Sequence, residues 1–272
     1  MIRLVVNADD LGLHPRIDEG IFRAHGEGIV TSASLLVAGT TAPKAARAAA
    51  ERGLALGVHL CLTSHLTPSA APHRVRWLAP GGRFRSDWRE LAAAWLAGLI
   101  PSDEIELELA AQVARAREQG ADVDHLDVHQ HLHLLPGMAR LVEGLAERLR
   151  LPLRWPAELP RPTWLRRPGA WAKTSLLSAL GFARPARGAH RVPAVGLFDS
   201  GGLTEARLLK LLGRLTDGDW ELMCHPGLAP ATVPEDPAWR YDWEAELAAL
   251  CSPRVREALR QHGISLVTYR AL

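Results

Sequence analysis

Short apolar runs alternate along this chain with longer stretches in which apolar residues recur every three or four positions. Runs of that length suit buried strands, and the 3.6-residue period suits helices packed over them. Strands are predicted at 2–6, 32–37, 54–62, 123–128, 152–155, 192–198, 221–224 and 265–269. Helices are predicted at 17–25, 42–52, 102–119, 137–150 and 204–215. Pro15 suits a helix start, and Gly53 and Gly120 suit helix stops. Such alternation predicts an α/β fold with a mostly parallel sheet and helical crossovers. About seven strands in one unit point to a (β/α) barrel or a barrel-like closed sheet, with an open doubly wound sheet as the rival. Gly-x-Gly-x-x-Gly is absent after the first strand, which counts against a dinucleotide site. The expected organisation is one domain over 1–272. Long rim loops are expected near 63–86 and 154–170, both rich in Pro, Arg and Trp.

Composition excludes several classes. With 272 residues, 47% hydrophobic and 23% charged, the chain can bury a large core without disulfides or a structural metal. No apolar run approaches the ~18 residues of a membrane span. A net charge of +2 offers no global field for nucleic acid. Cys61, Cys224 and Cys251 are too few and too scattered for a disulfide framework or a thiolate zinc site. The opening apolar run soon meets Asn7-Ala8-Asp9-Asp10, so no signal peptide is read and a cytoplasmic location is expected.

Ionisable residues gather where the apolar strands end. Asp9 and Asp10 follow the first, His59 ends the third, Asp127 and His129 close the fourth, and His225 follows a late one. In parallel α/β folds the site lies at the carboxyl ends of the strands, and four strands delivering such groups to one rim predicts a site there. Each group alone has a plainer reading: Asp9-Asp10 as an Asx turn or helix cap, His59 as a satisfied core histidine, His225 as a turn residue. Four histidines fall in His125-Leu126-Asp127-Val128-His129-Gln130-His131-Leu132-His133. On a helix His125, His129 and His133 would share one face; on a strand all the odd positions would. Gly120 and Asp122 before the segment and Pro136 after it favour a strand that turns into a loop. Not all four can be ligands: one is expected to ligate, and the others orient, hydrogen-bond or line the cleft, with His131 and His133 as bystanders. Asp10, His59 and His129 would give one carboxylate and two imidazoles, leaving open positions on a divalent ion. Either carboxylate of the Asp9-Asp10 pair could bind the ion while the other faces substrate or water. Trp155, Trp164 and Trp171, interleaved with Arg161, Arg166 and Arg167, suit a packed rim loop, a substrate wall or a surface leaning on lipid.

On these pieces the chain resembles the YdjC-like carbohydrate deacetylases, which include chitooligosaccharide deacetylase. The pieces are Asn7-Ala8-Asp9-Asp10-Leu11-Gly12, Gly28-Ile29-Val30-Thr31-Ser32-Ala33-Ser34, Gly57-Val58-His59-Leu60, the segment from His125 to His133, and Cys224-His225-Pro226. Leu11 stands where phenylalanine is usual, and Val128 where serine is common. The resemblance implies a deformed (β/α) barrel of the glycoside hydrolase/deacetylase type. It implies one divalent ion, Mg²⁺ or Zn²⁺, on Asp10, His59 and His129, and hydrolysis of an N-acetyl group on an amino sugar or oligosaccharide. Asp9 would take a proton from the attacking water and His225 would give one to the leaving amine. Asp127 would orient a ligand histidine, and His125, His131 and Trp155 would support the site or meet substrate. A homodimer is a family-level expectation. A branch associated with hopanoid biosynthesis suggests a lipid-linked aminosugar and peripheral membrane contact as the alternative. A non-catalytic carbohydrate-binding protein on the same fold is the second.

Overall fold

The first strand organises the sheet. In the computed structural model, which describes residues 1–156, 158, 168–183, 190–229 and 241–272, β1 (Ile2–Leu11) has three parallel partners. Along one edge it pairs from Ile2 to Ala8 with β7 (Gly218–Cys224). Its other edge is shared: β8 (Ile264–Leu266) takes Ile2–Leu4, and β2 (Ser32–Leu35) takes the stretch from Asn7 to Leu11. The remaining strands, β3 (Ala55–Leu60), β4 (Val123–Val128), β5 (Leu153–Pro156) and β6 (Arg191–Val195), follow in order from β2 to β7. Seven parallel strands thus close a barrel, and β8 is wedged beside its first strand. The expected deformed (β/α) barrel is what the chain forms.

Helices α1 (Pro15–Gly26), α2 (Ala42–Glu51), α3 (Trp88–Leu96), α4 (Ser102–Glu118), α5 (Met138–Leu149), α6 (Pro168–Phe182), α7 (Glu205–Leu212), α8 (Trp243–Leu250) and α9 (Pro253–Gln261) accompany the strands. The main core packs strand faces such as Leu4, Val6, Leu35 and Leu126 against helix residues such as Ile21, Ala46, Leu109 and Val142. Among the described residues no helix is long and apolar enough to cross a membrane.

Several boundaries differ from expectation. The first strand runs to Leu11, not to residue 6, so Asp9 and Asp10 lie within it. It can hold them because it is bulged: Ala8 pairs with Ala33 and Leu11 with Leu35, which sets Asp9 and Asp10 together opposite Ser34 alone. Asp10 takes φ 68° there, a left-handed conformation that Asp tolerates better than most residues. The rim loop near 154–170 is shorter than expected, since Arg154–Pro156 belong to β5 and Pro168 begins α6. Arg161, Trp164, Arg166 and Arg167 lie outside the described residues. The other rim loop is tied down by three side chains at successive turns of α4. Glu104 accepts from the Trp77 and Leu78 amides, Glu108 from Ser69 and Ala70, and Gln112 bridges the Cys61 amide and carbonyl.

A second irregularity lies between β3 and β4. Leu56 pairs with Val123 and Val58 with Leu126, so Gly57 alone opposes Asp124 and His125. The His125 ring occupies the space a side chain at 57 would need: a Cβ there would sit 2.3 Å from ring atoms. Gly57→Ala is therefore expected to lower stability by about 2 kcal/mol or more, read from the urea midpoint. An unchanged midpoint would mean that His125 is free to move.

Candidate active site and metal centre

The barrel interior is polar where many (β/α) barrels hold Val, Ile and Leu. Arg154, fully buried on β5, is its hub. Its Nη1 and Nη2 donate to the two oxygens of Asp9 at 2.7 and 2.5 Å. Nη2 also lies 2.7 Å from Asp127 Oδ2, and Nε donates to Glu221 Oε1 at 2.6 Å. These contacts join β5 to its neighbour β4 and, across the interior, to β1 and β7. One guanidinium thereby meets three buried carboxylates. Burial opposes ionisation of Asp9 and Asp127, but the Arg154 charge overrides it and holds both below the usual carboxylate range. The sequence reading missed Arg154; the signal was an arginine inside a short buried strand, between Leu153 and Trp155.

Three other groups converge at the carboxyl ends of β1, β3 and β4. His59 Nε2 lies 3.0 Å from His129 Nδ1, and Asp10 Oδ1 lies 3.5 and 3.6 Å from those two nitrogens. All three side chains are buried. The far side of each ring is already held. His59 Nδ1 sits 2.6 Å from Asp127 Oδ1, and His129 Nε2 sits 3.3 Å from Ser64 Oγ. With the outer nitrogens as donors, the two nitrogens that face each other must share a cation, either a proton on His59 or a metal ion. Among the described residues the buried Asp10 Oδ1 has no hydrogen-bond partner, which a buried carboxylate oxygen does not tolerate without a cation or donor. The trio fits a divalent ion at ~2.1 Å from each donor. A second trio, Asp9, His59 and Asp127, is also close enough together, but Arg154 already occupies both of its carboxylates.

Burial, helped by the Asp9 and Asp127 charges and opposed by His59, pushes Asp10 up to about 7. Burial disfavours the His59 cation, yet Asp127, Asp9 and Asp10 outweigh it and push His59 up to about 9. An ion on this trio must displace the His59 proton, and at lower pH the Asp10 proton as well. Affinity for Zn²⁺ is therefore expected to rise about tenfold per pH unit between those two values, measured by calorimetry in several buffers. A flat profile would mean that the ion binds elsewhere.

His225 follows β7 and faces Asp9: its Nε2 lies 3.9 Å from Asp9 Oδ2. Its amide donates to Glu246 Oε2 at 2.6 Å, Ser200 Oγ lies 3.5 Å from Nδ1, and the Tyr241 ring meets the imidazole edge-on. Burial lowers His225 to about 4, more than the Asp9 charge can raise it. Its resting form at neutral pH is the uncharged imidazole. Glu246, which also accepts from Gly202 and Leu203, holds this turn, and the sequence reading did not find it.

The other expected site residues divide. Asp127 does hold His59, and also accepts from Ser34 and Arg154. His125 lies deeper in the barrel, between Asp124 Oδ1 at 2.7 Å and Ser34 Oγ at 3.2 Å. After His129 the chain kinks through short 3-10 turns over His129–Leu134, interrupted where Gln130 and His131 both take φ 56°. This sharp turn keeps His129 at the rim and carries His133 away, to pack edge-on against the Trp155 ring. His131 meets His133 edge-on at 6.4 Å. Trp155 points to the opposite side of β5 from Arg154; its ring lies under the Arg191 guanidinium and donates to the Gly181 carbonyl.

Comparison of the chain with known proteins finds a family. The family model described as "YdjC-like protein" matches residues 3–261. A carbohydrate deacetylase of Geobacillus stearothermophilus is 32% identical, covering 98% of this chain and 96% of its own. A chitooligosaccharide deacetylase of Serratia marcescens is 30% identical, covering 99% and 98%. In three dimensions the chain superposes on a protein of Enterococcus faecalis V583, described as a cellobiose-phosphate cleavage protein, with a TM-score of 0.78. That pair is 24% identical and covers 99% of this chain and 98% of the other, a likeness of fold.

Proposed function

As the chain belongs to the YdjC-like family, we propose that it is a carbohydrate deacetylase that uses a divalent ion to remove an N-acetyl group from an amino sugar or its oligomers. The observation that carries this reading is the convergence of a partnerless buried Asp10 oxygen with His59 and His129, beside the Asp9–His225 pair. The names of the relatives, carbohydrate deacetylase and chitooligosaccharide deacetylase, support the substrate class.

When bound by Asp10, His59 and His129, the ion supplies Lewis-acid polarisation of the amide carbonyl and charge stabilisation for the oxyanion. Asp9 accepts a proton from the attacking water. Arg154 keeps it ionised and fixes its direction, so its contribution is placement more than basicity. His225 is neutral at rest and cannot act as an acid until it gains a proton. It takes that proton from Asp9, whose Oδ2 lies 3.9 Å from its Nε2, and gives it to the nitrogen of the leaving amine. The C–N bond breaks as that nitrogen is protonated. Water's hydroxyl ends on the acyl carbon and its proton on the amine, giving acetate and a free amino sugar.

The test is product analysis on N-acetylglucosamine oligomers. Acetate and primary amine are expected in equal amounts, with the oligomer length unchanged. Shortened oligomers without acetate, or no product with any N-acetylated sugar, would contradict the reading.

A further inference from the structure

The reaction just described leaves Tyr269 without a task, although it is among the largest fully buried side chains. It lies in a single helical turn, Tyr269–Ala271, just after β8. With Val5 and Val192, and with Val267 and Leu272 against them, it forms a small apolar cluster apart from the main core. Val5 shares its strand face with Asn7 and Asp9, and Val192 pairs with Arg154, so the cluster fills the barrel axis beneath the site. The Tyr269 ring stacks on His125, with centroids 3.9 Å apart and planes at 13°. Its hydroxyl donates to Glu221 Oε2, while Arg154 Nε holds Oε1.

We propose that Tyr269 is a positioning residue for the reaction, acting through Glu221 and Arg154 on Asp9 and Asp127; the proposal rests on the deacetylase reading. A guanidinium is planar, so fixing Nε fixes the direction of both Nη groups. Glu221 can fix Nε only while it is ionised and held in one rotamer. It is fully buried, which works against its charge, and the Tyr269 hydroxyl satisfies the oxygen that Arg154 does not. The stacked ring gives a second route. It backs His125, whose Nε2 meets Ser34 Oγ, and Ser34 donates to the Asp127 carboxylate that holds His59.

Tyr269→Phe keeps the ring and removes only the donor. The expected result is a kcat about tenfold lower per folded molecule, with KM close to that of the parent and a thermal midpoint a few degrees lower, because the buried Glu221 oxygen loses its donor. Tyr269→Leu removes the stack as well and is expected to lower the midpoint further, which separates packing from positioning. A readout independent of turnover is the Nε–H resonance of Arg154 in arginine-labelled protein, assigned with Arg154→Lys. It is expected to be protected from exchange in the parent and to shift and exchange faster in Tyr269→Phe. Parent protein that releases no acetate would sink the deacetylase reading, and this resonance would then decide the role of Tyr269 alone. An unchanged kcat together with an unchanged Arg154 resonance would overturn the proposal. So would a loss confined to KM, or a kcat loss that merely follows loss of folded protein.

Discussion

Replacing Arg154 with methionine is expected to destabilise the protein by about 3–5 kcal/mol and to abolish turnover together. The side chain is fully buried and meets Asp9, Asp127 and Glu221 at 2.5–2.7 Å. Without it, three buried carboxylates lose their shared counter-charge. They must then take up protons or let water in. The pair of effects separates Arg154 from an ordinary active-site residue, whose loss spares folding. Arg154→Lys keeps the charge but cannot reach all three carboxylates, because a lysine is a single point donor and not a fork. It is expected to recover part of the stability and little of the activity. Urea unfolding and acetate release on the same preparations check both. A methionine variant within about 0.5 kcal/mol of the parent would show that the carboxylates are compensated by other means.

Asp9→Asn is expected to keep ion binding, to lose part of the folding stability because its amide nitrogen meets an Arg154 donor, and to lower kcat by about a thousandfold per folded molecule, within the range for a lost acid–base group. The amide is the same size and can still accept one hydrogen bond from Arg154. Asp9 is not among the three groups that converge on the ion position, so affinity for Zn²⁺ should change little. His225→Ala should be the milder lesion if water can replace the imidazole in protonating the amine. Full activity of Asp9→Asn would transfer the role of proton acceptor to His225, whose neutral resting form would allow it.

What was legible in the sequence follows from where information is local. Asp10, His59 and His129 stand at the ends of apolar runs, and strand ends in a parallel barrel share one rim. Their convergence could be expected before any contact was known. Arg154, Glu221 and Tyr269 could not be found in the same way, because they meet across the barrel from strands far apart in sequence. Nothing in the spacing of β5, β7 and the turn after β8 announces those contacts. The first strand was read too short for a related reason. Polar Asn7, Asp9 and Asp10 look like a strand's end until the interior is known to be polar and the bulge opposite Ser34 is seen. Helices α3, α6, α8 and α9 were not among those expected from the sequence; α3, α8 and α9 run for only eight or nine residues, where a 3.6-residue period is weak, although α7 at eight residues was legible. Leu4, Val6, Leu126 and the other outward strand positions carried a strong apolar signal, and there the sequence reading and the structure agree.

The central claim is that one ion on Asp10, His59 and His129 is required for release of acetate. The most direct measurement is a titration of chelated protein with Zn²⁺ or Mg²⁺. Bound ion would be counted by elemental analysis, and acetate release from N-acetylglucosamine oligomers followed in the same samples, beside Asp10→Asn and His59→Ala proteins. Activity and bound ion are expected to rise together to one ion per chain, and both variants to lose both. Full acetate release from ion-free parent protein, or a full complement of ion on the Asp10→Asn and His59→Ala proteins, would contradict it.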